Sequence, residues 1–144
     1  MNDIPIVNVL IVEDNAGDTL LTCLMMQKSK RINFNITHVS SLLECVSNLS
    51  DNPSDTDVIL LDLLLPDTLY ESRKNVIEEV ISKSQGIPVI ILSGFKDDTI
   101  IVNSLVSGAS DYIIKDYMTT EVLEHIVWIS LKRKEVEKIT GPEF

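Results

Sequence analysis

Short apolar runs alternate with longer amphipathic stretches along the whole chain. Residues 6–12 (IVNVLIV) are β-branched and end at the polar Glu13-Asp14-Asn15, which predicts a buried strand. Residues 18–28 (DTLLTCLMMQK) carry apolar side chains near every third or fourth position and predict a helix. Alternation of Phe34, Ile36, Thr37 and Val39 predicts a second strand over 33–39. Ser40-Ser41-Leu42-Leu43-Glu44 opens a second helix with hydroxyl caps and an acid in its first turn. That helix runs into a turn at Asp51-Asn52-Pro53-Ser54-Asp55. Residues 57–61 (DVILL) predict a third strand, apolar on both faces as in a parallel sheet covered on both sides. A loop around Pro66-Asp67-Thr68 follows, then a helix over 71–84 through Val76, Ile77, Val80 and Ile81. Residues 88–92 (PVIIL) predict the fourth strand. Residues 97–107 predict a helix, with Gly108 in the left-handed position just past its end. The fifth strand is expected over 111–114, and the last helix from 119 to about 139.

Five strand–helix units predict a parallel sheet with helices on both faces. Right-handed crossovers limit the topology to a doubly wound α/β fold. The chain has 144 residues, 44% of them apolar, enough for one domain with a real core. We assign that domain to residues 1–139. The tail at 140–144, with its helix-breaking Gly-Pro, is expected to be a frayed end, an appended remnant or the start of a linker. Twelve Lys and Arg stand against 22 Asp and Glu, a net charge of −10. This argues against a direct hold on nucleic acid or an anionic membrane. Two cysteines, Cys23 and Cys45, are too few for a disulfide scaffold and read as small buried apolar residues. No targeting signal is evident, and Asp62 interrupts the longest apolar run. The expected location is the cytoplasm.

In doubly wound sheets ligands bind beyond the carboxyl ends of the strands, near the switch in strand order. The residues expected there are Glu13 and Asp14, Asp62, Ser93 and Lys115, after the first, third, fourth and fifth strands. Each alone is weak evidence, since strand-ending acids usually cap or face solvent, a lone Lys is usually a surface charge, and Ser93-Gly94 alone is a turn. The conjunction is specific. Three adjacent carboxylates repel unless protonated or metal-bound. An oxygen-only set favours a hard cation such as Mg²⁺. His38 and His125 fall on a predicted strand and helix, and neither cysteine lies near the rim. Mg²⁺ beside a carboxylate, with an ammonium and a hydroxyl opposite, is a constellation for phosphoryl transfer. A carboxylate can itself be the nucleophile, giving an aspartyl phosphate.

VLIVEDN at 9–15, DVILLDLLLPD at 57–67, PVIILSG at 88–94 and GASDYIIKD at 108–116 make the chain resemble a response regulator receiver domain. That is the phosphoacceptor module of two-component signalling, and the resemblance spans about residues 7–134. It implies a flavodoxin-like (βα)5 fold with strand order 2-1-3-4-5. It implies that Asp62 is the phosphorylated aspartate, that Asp14 binds Mg²⁺ directly and Glu13 largely through water, and that the main-chain carbonyl of Leu64 completes the metal site with Asp62. Ser93 would be the switch hydroxyl, Lys115 the partner of the phosphoryl group, and Tyr112 the aromatic rotamer switch; an aromatic packing an edge strand is the plainer reading of Tyr112. The phosphodonor would be a histidine kinase or a histidine phosphotransfer protein. The domain would catalyse only its own phosphorylation and slow dephosphorylation. The face of the fourth helix, fifth strand and fifth helix would serve a homodimer or a downstream domain.

The chain departs from the family pattern in four places. Tyr70 stands where a Gly is usual eight residues past the acceptor, and Asp116 where a Pro usually follows the Lys. The Lys115–Asp116 bond is expected to be trans, because a cis bond before a non-proline residue costs about 3–4 kcal/mol. Leu64 and Phe95 occupy positions that often carry polar groups flanking the phosphoryl group, which predicts a long-lived phosphorylated form. A haloacid-dehalogenase-type phosphatase would need an Asp where Leu64 stands, and a cap domain. A flavin site would be repelled by Glu13-Asp14. A pseudo-receiver, an unphosphorylated interaction scaffold, is the remaining alternative. In the last helix a single buried stripe leaves Trp128 or Leu131 over, which marks a candidate partner surface.

Overall fold

A computed structural model describes residues 3–65 and 73–140. The elements are β1 (Ile6–Val12), α1 (Ala16–Gln27), β2 (Asn33–Val39), α2 (Leu42–Asp51), β3 (Val58–Leu61), α3 (Arg73–Ser84), β4 (Val89–Ser93), α4 (Asp98–Val106), β5 (Asp111–Ile114) and α5 (Thr120–Thr140). The strands form one parallel sheet in the order β2-β1-β3-β4-β5. β1 therefore lies between β2 and β3, and the chain reverses its winding direction there. This opens the crevice at the carboxyl ends of β1 and β3.

Period-two side-chain direction explains how the apolar strands are covered on both faces. Val7, Val9 and Ile11 of β1, with Leu60, Ile90, Leu92 and Ile113, meet Met26 of α1 and Leu123 and Val127 of α5. Leu10 and Val12 point the other way. With Ile59, Leu61 and Ile91 they meet Cys45 and Leu49 of α2 and Val76, Ile77 and Val80 of α3. All four residues of β3 and all five of β4 are buried, whereas β2 alternates as an edge strand. Cys45 is buried and Cys23 half-buried, both free thiols. Burial, with a smaller push from Glu79, raises the Cys45 thiol to about 12, so it is an inert core group.

Helix starts follow the capping residues rather than the apolar periodicity. α1 begins two residues before its amphipathic pattern because the Asn15 side chain accepts from the Asp18 N–H at 2.9 Å. Ser41 caps α2 through the Glu44 N–H, and Glu44 reaches back to the Ser40 N–H at 3.0 Å. Asp97 caps α4 rather than opening it. Gly108 has φ +113°, and its N–H donates to the Leu105 carbonyl, in the left-handed position expected after α4. In α5, Leu123, Val127 and Ser130 are buried, and Trp128 stays 39% exposed under the Lys132 ammonium. Among the described residues there is no cis peptide bond, and Lys115–Tyr117 forms a short 3-10 turn. The Lys115–Asp116 bond is accordingly trans, and exposed Asp116 pairs with Lys96 at 2.9 Å. The loop around Pro66-Asp67-Thr68, Tyr70 and the start of the third helix at 71–72 lie outside the described residues; of the tail expected at 140–144, Thr140 ends α5 and 141–144 lie outside them. No helix among the described residues is long and apolar enough to cross a membrane.

Candidate functional site

The sheet ladder delivers the rim residues to one place. The N–H of Asp62 donates to the Val12 carbonyl at 3.0 Å, and that of Glu13 to the Val39 carbonyl at 3.0 Å. The ends of β1 and β3 are thus level. Ser93 ends β4 in register with Ile114, the residue before Lys115. Glu13, Asp14 and Asp62 each offer a carboxylate oxygen, all within 4.8 Å of one another. Glu13 and Asp62 are buried and Asp14 is exposed, so the group is dry on its protein side and open on the other. The Lys115 ammonium lies 2.6 Å from Glu13 Oε1 and 3.6 Å from Asp62 Oδ1.

These contacts set the charge state. Burial pushes the Glu13 carboxyl up to about 7 and the neighbouring Asp62 adds to this, while Lys115 opposes it. Burial alone would lower the Lys115 ammonium. Its hydrogen bonds to Asp18 and Glu13, and the charge of Asp62, outweigh that and hold it above the ordinary lysine range. The site therefore carries a fixed cation among more carboxylates than it can neutralise. The donor set fits a hard divalent cation: oxygen ligands only, one side exposed, and a buried acid, Glu13, pushed up to about 7 even with Lys115 beside it.

Ser93 is fully buried, and its hydroxyl oxygen accepts the Phe95 N–H at 3.2 Å. Tyr112 is also buried, and its hydroxyl donates to the Phe95 carbonyl at 2.9 Å. The Phe95 backbone is therefore held from both sides, by the end of β4 and by β5. Its side chain is half-buried, and that of Leu64 is 52% exposed.

Two described residues lie near the acids with no site role expected from sequence. Asp18, in the first turn of α1, places Oδ2 2.8 Å from the Lys115 ammonium. As an acid three residues after an Asn cap it reads as a capping-box residue. Its carboxylate goes to Lys115 instead, a contact that only the packing of α1 beside the end of β5 creates. His38, on β2, brings Nε2 to 2.6 Å from the Glu13 carbonyl and 3.4 Å from the Thr19 hydroxyl. It braces the β1–α1 junction from the edge strand.

The fold and this rim define a class: a doubly wound α/β domain with an acid cluster, a lysine and a buried hydroxyl at its switch point. The sequence model for response regulator receiver domains matches residues 9–127, and the chain belongs to that family. It is similar to the methanogenesis regulatory protein FilR1 of Methanothrix harundinacea, 29% identical over 88% of this chain and 29% of that protein. It is also similar to the swarming motility regulation protein RssB of Serratia marcescens, 30% identical over 83% of this chain and 51% of that one. The chain thus spans about a third to a half of the length of these curated relatives. Among solved structures, the signal receiver domain of a LuxO repressor protein from Vibrio parahaemolyticus is 28% identical, with a TM-score of 0.74 over 95% of this chain and 98% of that one. The phosphorylated cyanobacterial phytochrome response regulator RcpA is 25% identical, with a TM-score of 0.65 over 95% and 96%.

Proposed function

We propose that this receiver domain is a phosphoacceptor switch: Asp62 takes a phosphoryl group from a phosphohistidine partner, with Mg²⁺ required. The observation that carries the reading is Asp62 itself. It is a buried carboxylate at the carboxyl end of β3, 3.6 Å from a lysine ammonium and grouped with Glu13 and Asp14. Asp14 and Asp62 would hold the cation directly, Glu13 through water, and the Leu64 carbonyl would complete the set. When bound, the cation supplies charge neutralisation at the phosphoryl oxygens. Asp62 provides the attacking oxygen, Lys115 donates to a phosphoryl oxygen, and Ser93 turns its hydroxyl towards the same group. Tyr112, held by the Phe95 carbonyl beside Ser93, would then report the change to the surface of α4, β5 and α5. That surface would serve a second copy or a downstream domain, since the chain covers only part of its relatives. The donor would be a histidine kinase or a histidine phosphotransfer protein, and the setting the cytoplasm. That the structurally similar RcpA is described as phosphorylated supports the reading.

The test is labelling by acetyl phosphate, with and without Mg²⁺. Wild type should gain one hydroxylamine-labile phosphoryl group only with Mg²⁺, and Asp62→Asn none. Asp14→Ala should lose labelling more completely than Glu13→Ala, since direct coordination outweighs a contact through water. Labelling of Asp62→Asn would overturn the assignment. A wild-type chain that neither labels nor binds beryllofluoride would instead be a scaffold that works without phosphate.

A further inference from the structure

We propose that Asp18 is a positioning residue for Lys115: its carboxylate holds the ammonium back from Asp62, leaving the acceptor oxygen free to attack and an N–H free for a phosphoryl oxygen. The inference rests on the phosphoacceptor reading of Asp62 and adds a residue on α1 to it. A lysine ammonium has three N–H donors. Lys115 gives one to Glu13 Oε1 at 2.6 Å and one to Asp18 Oδ2 at 2.8 Å, while Asp62 Oδ1 lies at 3.6 Å, beyond hydrogen-bond range.

Helix capping does not account for the Asp18 side chain. Its backbone N–H is taken by Asn15 Oδ1 at 2.9 Å and its carbonyl by the Thr22 hydroxyl at 2.9 Å. The side chain is 43% exposed yet turns to Lys115 rather than to water. Nor does Asp18 belong to the group of acids suited to a cation, which is Glu13, Asp14 and Asp62. Without Asp18, the carboxylates left within 4 Å of the ammonium among the described residues are Glu13, already bonded, and Asp62. A charge-assisted bond of about 2.8 Å would then form there and occupy a lone pair of the nucleophile.

In the step itself, an Asp62 Oδ lone pair forms the new O–P bond. The bond from phosphorus to the donor breaks, and its electron pair leaves with the imidazole or acetate. Lys115 donates a hydrogen bond to a phosphoryl oxygen and gives up no proton. A phosphoryl oxygen on Asp62 comes to lie beside the 3.6 Å line from Oδ1 to Nζ, within reach of an N–H that Asp18 and Glu13 leave unused, so the hold of Asp18 on Lys115 governs the rate.

The test compares wild type with Asp18→Ala, Asp18→Asn and Asp18→Glu, as full chains with Mg²⁺ and a range of acetyl phosphate concentrations. The maximal labelling rate of Asp18→Ala should fall about tenfold, the scale of one charge-assisted hydrogen bond. Its half-saturating acetyl phosphate should not rise, because a negative charge has left the path of an anionic donor. Asp18→Glu should restore most of the rate. Asp18→Asn, which keeps the shape and an acceptor oxygen, should fall less than the alanine variant, and it carries the comparison if Asp18→Ala folds poorly. A crystal structure of Asp18→Ala, or of Asp18→Asn in that case, should show Nζ drawn to hydrogen-bond distance from Asp62. Labelling of Asp18→Ala at the wild-type rate or faster overturns the inference, and so does an unchanged Nζ–Oδ1 separation. A wild-type chain that takes no phosphoryl group refutes the phosphoacceptor reading instead, and the structural comparison then still decides the placement of Lys115.

Discussion

Replacing Asp62 by Asn should stabilise the folded chain when divalent cations are absent. At an effective dielectric constant of about 20, the Lys115 ammonium at 3.6 Å attracts Asp62 by about 4.6 kcal/mol. Glu13, within 4.8 Å, repels it by at least about 3.5 kcal/mol once ionised. Asp14 is exposed, so its repulsion is nearer the value in water, about 1 kcal/mol. The pairwise contributions nearly cancel. What remains is the cost of keeping an ionised carboxylate buried, several kcal/mol for an ion against about 1–3 kcal/mol for an amide. An Asn of the same shape keeps the backbone bond to Val12 and leaves Lys115 on Glu13 and Asp18. We expect Asp62→Asn to gain about 1–2 kcal/mol. The assay is urea unfolding followed by circular dichroism at pH 8, where Glu13 is ionised, in EDTA and again in rising MgCl₂. Wild type should gain stability with Mg²⁺ by mass action, while the variant gains less and the difference closes or reverses. An Asp62→Asn chain less stable than wild type in EDTA would refute the charge accounting and the idea that this rim trades stability for chemistry.

The other predictions use the same rim and the core beneath it. Glu13 is held near 7 against an ordinary 4.5, so the folded chain binds an extra proton between those values. Its contribution is full below the unfolded value and is lost as pH rises through about 7. Stability should fall by up to about 3 kcal/mol between pH 5 and 8, and Glu13→Gln should flatten that limb in urea midpoints; an unchanged limb would place the titration elsewhere. Leu64→Asn and Phe95→Glu should each speed loss of the phosphoryl group by about tenfold, by giving an attacking water a hydrogen-bond partner. If decay rates of both variants match wild type, neither side chain governs access of water. Gly108→Ala should cost about 1–3 kcal/mol, because φ is +113° and the new Cβ would meet Ile81 Cδ1 at 3.0 Å. A thermal midpoint equal to wild type would show that this turn relaxes freely.

The strands were readable because a parallel strand covered on both faces must be apolar where it is covered, as Val58–Leu61 is throughout and Val89–Ser93 is up to the rim residue Ser93. Helix beginnings were less readable. Ala16 and Gly17 carry no amphipathic signal, and only the Asn15 cap reveals that α1 includes them. The acids, the hydroxyl and the lysine were found by their position at strand ends, and the sheet brings Glu13, Asp14, Asp62 and Lys115 together.

The sequence by itself determined the layer architecture, the convergence of its polar strand ends and the family, because each follows from periodicity and from position along the chain. Tertiary structure alone decided the pairing inside the cluster: which carboxylates hold Lys115, how far Asp62 stands from it, and that Tyr112 lies inward on the Phe95 carbonyl. Asp18 and Lys115 are 97 residues apart. They meet because α1 leaves the end of β1 on the face that α5 also covers, so the first turn of α1 stands beside the end of β5. No local pattern encodes that distance. Only the packing of both helices on one face of the sheet sets it, and with it the place of the Lys115 ammonium among Glu13, Asp14, Asp18 and Asp62.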